Sequence, residues 1–191
     1  MTFCGYHGST GNGPLTETIV PSSDDSTTGW SSSTVNPIWQ ELGVETTAAY
    51  AQAATSATTQ TCPITGDDVL SLNMADPSGP VDVGAVQGMR VRYQVRFQWV
   101  GVEPTTFSVL WTVRLKQGST TIASGTAGPF TDPLEELNWQ AESSFSLSQS
   151  EVDSITDHAQ LKLEATATMC DDGANEVEAN LAYSVIDYFA R

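Results

Sequence analysis

The sequence predicts an all-β protein: an antiparallel β-sandwich, jelly roll in topology, with an extended N-terminal arm. Three observations point there. Two long stretches, "MRVRYQVRFQWV" (89–100) and "TFSVLWTVRLK" (106–116), alternate apolar and polar residues with a period of two. That alternation marks a half-buried antiparallel strand. Shorter runs of the same kind recur between turn-forming clusters, at "AYAQAAT", "DVLSLNM", "TTIASG", "ELNWQAESSFSL", "AQLKLEATAT" and "NEVEANLAYSVIDYF". Helical periodicity is confined to scraps, so eight or nine strands must bury their apolar faces against one another. Two face-to-face sheets do so, and a jelly roll suits a chain of 191 residues.

Residues 1–29 read as the arm. "GYHGSTGNGPLTETIVPSSDDSTTG" is rich in Gly, Pro, Ser and Thr, a composition that cannot bury enough surface to fold alone. Its apolar points, Phe3, Tyr6, Ile19 and Val20, are candidates for docking onto a partner. Residues 30–191 read as one sandwich domain, large enough to bury a core. "NPIWQEL" (36–42) is a helical turn or a strand start, with Pro37 suited to the first position of a helix. "ADPSGPVDVGAVQG" is loop. Val91, Tyr93, Val95, Phe97 and Trp99 face the core from one long strand; Phe107, Val109, Trp111, Val113 and Leu115 face it from the next. "VGVEPTT" joins the two as a hairpin-length loop.

The stretch "SEVDSITDHAQLKLEATAT" (150–168) gathers Asp153, Asp157 and His158, a cluster suggestive of catalysis or a metal. Each of these residues also has a local structural task. Ser148 or Ser150 offers an N-cap, Glu151 and Asp153 favour the positive end of a short helix, and Val152 and Ile155 cover the core. Leu161 and Leu163 then start a strand, so the stretch reads as a corner. Cys4 and His7 have zinc-like local spacing, but a tetrahedral site needs two more ligands, for which Cys62, Cys170 and His158 would have to meet the arm. The turns at 76–82 and 170–176 are where a structural calcium would sit; Asx-type turn bonding accounts for both without a metal. No cofactor is expected. No nucleophile-elbow, zincin, P-loop or dinucleotide motif occurs, and no pair of acids stands out as a glycosidase couple.

Charge narrows the partners. Seven Lys and Arg stand against 23 Asp and Glu, a formal net charge of −16, and no basic residue precedes Arg90. Such a field repels phosphate, so no nucleic-acid partner is expected. No apolar run is long enough to span a membrane, and "MTFCGYHGSTGNGP" lacks the basic and apolar regions of a secretory signal. Synthesis in a cytoplasm is expected, with any outside position reached by another route, such as assembly or lysis. Of the three cysteines, Cys62 and Cys170 could form one bridge; unpaired, semi-buried thiols are the expectation for a cytosolic product. Five of the seven basic residues, Arg90, Arg92, Arg96, Arg114 and Lys116, fall on outward faces of strands that read as neighbours. They either pair across strands with acids such as Glu164 or Glu178, or form a stripe that meets an acidic surface, such as the acid-only half of another copy.

"SLSQSEVDSITDHAQLKLEATAT", with what precedes it, resembles a domain recurrent in virion proteins of tailed double-stranded DNA bacteriophages. The matching positions are Trp30, Trp39 and Leu42, Tyr50, Asp76-Pro77, Val91-Arg92, "LKQGSTTIAS" (115–124), and Leu147 through Ile155, Asp157, Leu161 and Leu163. The resemblance covers roughly residues 30–188 and implies a jelly-roll or carbohydrate-binding-module-like sandwich without catalytic residues. The function expected from it is a capsid cement or decoration protein outside the phage head, bound to the major capsid protein through the arm and sandwich surface, and associating as a homotrimer. The rival expectation is an adhesive or carbohydrate-binding module of a tail or head fibre, with Trp30 or Trp139 and Tyr188 as a sugar-stacking platform.

Overall fold

The computed structural model describes residues 15–43, 47, 50–54, 68–77, 86–100, 106–132, 138–170 and 176–190. In chain order these form β1 (Leu15–Ile19), β2 (Pro21–Ser26), β3 (Trp30–Ser32), α1 (Ile38–Leu42), β4 (Ala51–Ala54), β5 (Asp68–Met74), β6 (Val86–Val100), β7 (Ser108–Gln117), β8 (Thr120–Phe130), β9 (Ser143–Ser146), α2 (Gln149–Asp153), a 3-10 turn (His158–Gln160), β10 (Leu161–Cys170) and β11 (Glu176–Ala190). The first sheet runs β3-β4-β11-β6-β9, with β1 also on β11; the second runs β2-β5-β10-β7-β8. All pairings are antiparallel.

The expected jelly roll is present. β4 pairs with β11, β5 with β10, β6 with β9 and β7 with β8, so the chain is one long hairpin whose tip is the β7–β8 turn. Rolling that hairpin lays β6 against β11 and β7 against β10. The turn at the tip is tight: Gln117 opposes Thr120, and Gly118 takes a φ of 58°, a left-handed conformation that glycine adopts without a Cβ clash.

Two expectations change. β6 and β7 are not a hairpin, because β6 lies between β11 and β9 in the first sheet and β7 lies between β10 and β8 in the second. The arm boundary at residue 29 also moves. β1 pairs with β11 through Ile19↔Ile186, and β2 pairs with β5, so residues 15–26 belong to the sheets. Edge pairing needs backbone N–H and C=O groups rather than apolar side chains, which explains why a polar composition hid these strands.

The sandwich interior follows the period-two pattern. Val91, Tyr93, Val95 and Phe97 of β6 and Val109, Trp111, Val113 and Leu115 of β7 are buried, as are Leu161, Leu163, Ala165, Ala167 and Met169 of β10. Trp111 packs on Trp30 with ring centroids 5.6 Å apart. The corner is structural as well. Ser148 donates through both N and Oγ to the Glu151 carboxylate at 2.7 Å, Val152 and Ile155 are buried, and the Asp157 carboxylate caps the 3-10 turn by accepting from Ala159 N at 3.0 Å. The buried Glu41 of α1 organises the loop after β3, accepting from Ser33 N, Thr34 N and the Ser32 and Thr34 hydroxyls. Cys170 is disulfide-bonded, contrary to the expectation of unpaired thiols; its partner lies outside the described residues.

β11 contains the decisive irregularity. Val177, Ala179 and Leu181 face the core, but the register against β6 shifts between Leu181 and Tyr183, after which Ile186 and Tyr188 face it. One extra residue, Ala182, switches the inward parity from odd to even. Without the switch Asp187 would point into the apolar interior. Deleting Ala182 is therefore expected to abolish the cooperative thermal transition seen by circular dichroism, an effect well beyond the ~1 kcal/mol of an average substitution.

Candidate functional site

The outer face of the first sheet holds the described residues with the richest chemistry. The parity switch places Asp187 of β11 on that face, opposite Arg90 of β6. Its side chain is fully buried and accepts from Arg92 Nε at 2.6 Å, Arg92 Nη2 at 3.0 Å, Arg90 Nη2 at 2.7 Å and Thr18 Oγ1 at 2.9 Å. Arg92 extends the network to Glu142 at 2.9 Å, and the Tyr183 hydroxyl donates to the same carboxylate at 2.6 Å. Burial alone would raise both carboxyl pKa values. Hydrogen bonds from Arg92 and Arg90 to Asp187, and from Tyr183 and Arg92 to Glu142, outweigh it and hold both acids below their ordinary values.

Beside this network a guanidinium is stacked between two rings. Arg96 of β6 lies 4.5 Å from the Tyr50 ring centroid and 4.7 Å from that of Trp139. The two rings meet edge-on at 5.8 Å. Arg96 Nε donates to Asn180 Oδ1 at 2.8 Å, while Asn180 Nδ2 is buried without a hydrogen-bond partner. Trp139 reaches this position because Gln140 N bonds to Val95 O at 2.9 Å, which extends the β9 side of the sheet. Ala182, Tyr183 and Val185 form a small apolar cluster on the same face, covered by Val20 and Trp139.

The sequence candidates separate. Phe3 and Tyr6, with Cys4, Cys62 and His7, lie outside the described residues, as do most of the two acid-bearing turns. Ile19 is core, 3% exposed, and Val20 packs on the outer-face cluster, so neither is a free docking point. The basic stripe does not exist as one surface. Arg90, Arg92 and Arg96 are on the first sheet; Arg114 and Lys116 are on the second, where both pair with Glu164 at 3.3 and 2.9 Å. The crossover between β6 and β7 separates them. Cross-strand pairing with Glu164 is present, whereas Glu178 accepts from Gln98 instead. The sugar-stacking trio fails on burial: Trp30 is 7% and Tyr188 4% exposed. Cys170, being disulfide-bonded, is not a zinc thiolate. Among the described residues no group of three His, Cys, Asp or Glu is placed to hold a metal ion, and no helix is long and apolar enough to cross a membrane.

Sequence reasoning missed Asp187 and Asn180, and had Tyr50 only as a position of the resemblance. The available signal was Asp187 inside the apolar run "YSVIDYF", where a charge implies either an outward turn of the strand or a buried partner. His158 was noticed for the wrong reason: its Nδ1 meets the Tyr188 hydroxyl at 2.7 Å, and its buried Nε2 has no partner. Burial lowers the His158 pKa below 6.5, against the opposing pull of Asp157, and burial raises that of Tyr188.

The chain matches no protein-family model and no curated protein.

Replacing Asp187 by Asn leaves two arginines without their shared carboxylate. The expected loss is about 3 kcal/mol, or roughly 6–12 °C in Tm by calorimetry. The pH dependence has a definite sign. Because the His158 pKa is lowered from 6.5, the unfolded chain binds more protons than the folded one just below that pH. Its contribution to stability is present above pH 6.5 and is lost as pH falls below it. Urea midpoints should thus decline between about pH 7 and 5, and His158→Gln should flatten that decline. Asp187 adds a second loss as pH falls through 3.8 and below, which the Asn variant lacks.

Proposed function

We propose that this protein is a non-enzymatic structural component of a tailed-phage virion, a decoration or cement protein on the outside of the head shell. In this reading it binds the major capsid protein and associates as a homotrimer. The observation that carries it is where the resembling positions fall. Leu42, Leu147, Ile155, Leu161 and Leu163 are buried, Asp157 caps the corner, and "LKQGSTTIAS" is the hairpin at the tip of the roll. The resemblance is thus to a set of residues that build a scaffold, with the chemistry of packing and capping rather than of turnover. Two further features agree with it. A disulfide at Cys170 suits a particle that works outside a reducing cytoplasm, and a charge of −16 suits the outside of a DNA-filled shell.

The described arginines and lysines other than Arg96 are engaged by carboxylates within the sandwich, so shell attachment rests on residues 1–14, which carry Phe3 and Tyr6. Truncation separates the two roles of the former arm. Removing residues 1–14 should abolish saturable co-sedimentation with heads that lack the protein, while β1 and β2 stay in the chain. Removing residues 1–29 should lower Tm as well, because β1 and β2 are then missing. Full occupancy of heads by the shorter truncation would refute the arm as the attachment point; absence of binding by the full chain would refute decoration.

A further inference from the structure

A row of polar side chains runs straight across the outer face of the first sheet. Ser31 of β3 opposes Gln52 of β4, Gln52 opposes Asn180 of β11, and Asn180 opposes Arg96 of β6. Three strand spacings make this row roughly 14 Å long. Tyr50 and Trp139 stand over its Arg96 end.

The row is under-used by the protein. Among the described basic residues, Arg96 alone has no carboxylate partner; Arg90, Arg92, Arg114, Lys116 and Lys162 are all paired. Only its Nε is engaged, by Asn180. Both Nη groups remain as donors on a half-exposed side chain that two rings hold in place. A guanidinium fixed in this way is preorganised for the planar, bidentate grip on a carboxylate. Asn180 Nδ2 is buried and unpartnered next to it, and the half-exposed Gln52 amide makes no hydrogen bond within the described residues.

We propose that this row is a binding site for an acidic saccharide, with the sugar carboxylate on Arg96. The half-exposed Gln52 amide donates and accepts at once, which matches the vicinal hydroxyls of a pyranose, while the buried Asn180 holds Arg96 in place. Tyr50 and Trp139 supply apolar faces for the C–H-bearing sides of the ring. The length of the row accommodates two to three sugar units. A neutral glycan would leave the guanidinium fork unused. An acidic peptide would also use the fork and pair its backbone with the amides, so the rings' apolar faces and the hexapeptide control separate it from a sugar. Glu178, the described acid two residues before Asn180 on β11, accepts from Gln98. This site does not depend on the decoration reading; failure to bind heads leaves it untouched.

The test is a titration of the full-length protein, followed by the indole N–H resonance of Trp139. The probes are sialyllactose and tri-galacturonic acid, with lactose, maltotriose and an acidic hexapeptide as controls, each up to about 10 mM. Saturable shifts of the Trp139 resonance with at least one acidic sugar are expected, at least about tenfold tighter than with its neutral counterpart. Arg96→Lys, which keeps the charge and loses the fork, should weaken binding about tenfold or more. Gln52→Ala, remote from the aromatic stack, should weaken it at unchanged Tm. No saturable response to either acidic sugar overturns the proposal. Equal binding of neutral and acidic sugars, or binding of the hexapeptide alone, overturns it too, the latter reassigning the fork to a polypeptide carboxylate.

Discussion

Strand β11 is held by hydrogen bonds along both edges and by side chains on both faces, and the rest of the molecule is arranged around that fact. β6 pairs with it along nearly its whole length, β4 takes the first part of its other edge and β1 the last part. Residues 177–189 are buried without interruption. A strand in that position must satisfy two environments at once, and Ala182 resolves the conflict. By shifting parity once, it gives the core Leu181 and Ile186 and gives the outer face Asp187. The buried carboxylate then gathers Arg90, Arg92 and Thr18, so a single acid ties β1, β6 and β11 together.

This arrangement explains how so acidic a chain uses its few cations. Five of the six described basic residues are committed to acids of the sandwich's own strands and loops, at Asp187 and Glu142 on one outer face and at Glu164 and Asp25 on the other. Buried or half-buried pairs of this kind specify register more than they add stability, because desolvation offsets much of their attraction. Their presence on opposite outer faces means that each sheet carries its own electrostatic clasp. Arg96 differs because aromatic rings, rather than a carboxylate, hold it. Cation–π contact positions a guanidinium without neutralising it, and so leaves its hydrogen-bonding edge available.

Much of the frame was legible in the residues. Alternation located β5, β6, β7 and β10, and the corner at Ser148–Asp157 followed from capping chemistry. β1 and β2 were not legible, because strands recruited to an edge are selected by backbone pairing and carry no apolar stripe. Nor was the distribution of the arginines. Period two says which way a side chain points relative to its own strand, but it is silent on which sheet the strand joins.

The sequence by itself determined the class of the fold: strands that alternate, turns that break them, and a composition that leaves two stacked sheets as the way to bury Trp111, Phe97 and Leu163. Only the tertiary structure decided what stands next to what. The basic residues were divided between two faces by the crossover after β6. Asp187 was turned outward by one extra alanine, and Tyr50, Asn180, Arg96 and Trp139 were brought together from four separate segments. The physical reason is the range of the two kinds of information. Side-chain pattern is a local property of consecutive residues, whereas register and sheet membership are set by hydrogen-bonded neighbours tens of residues away.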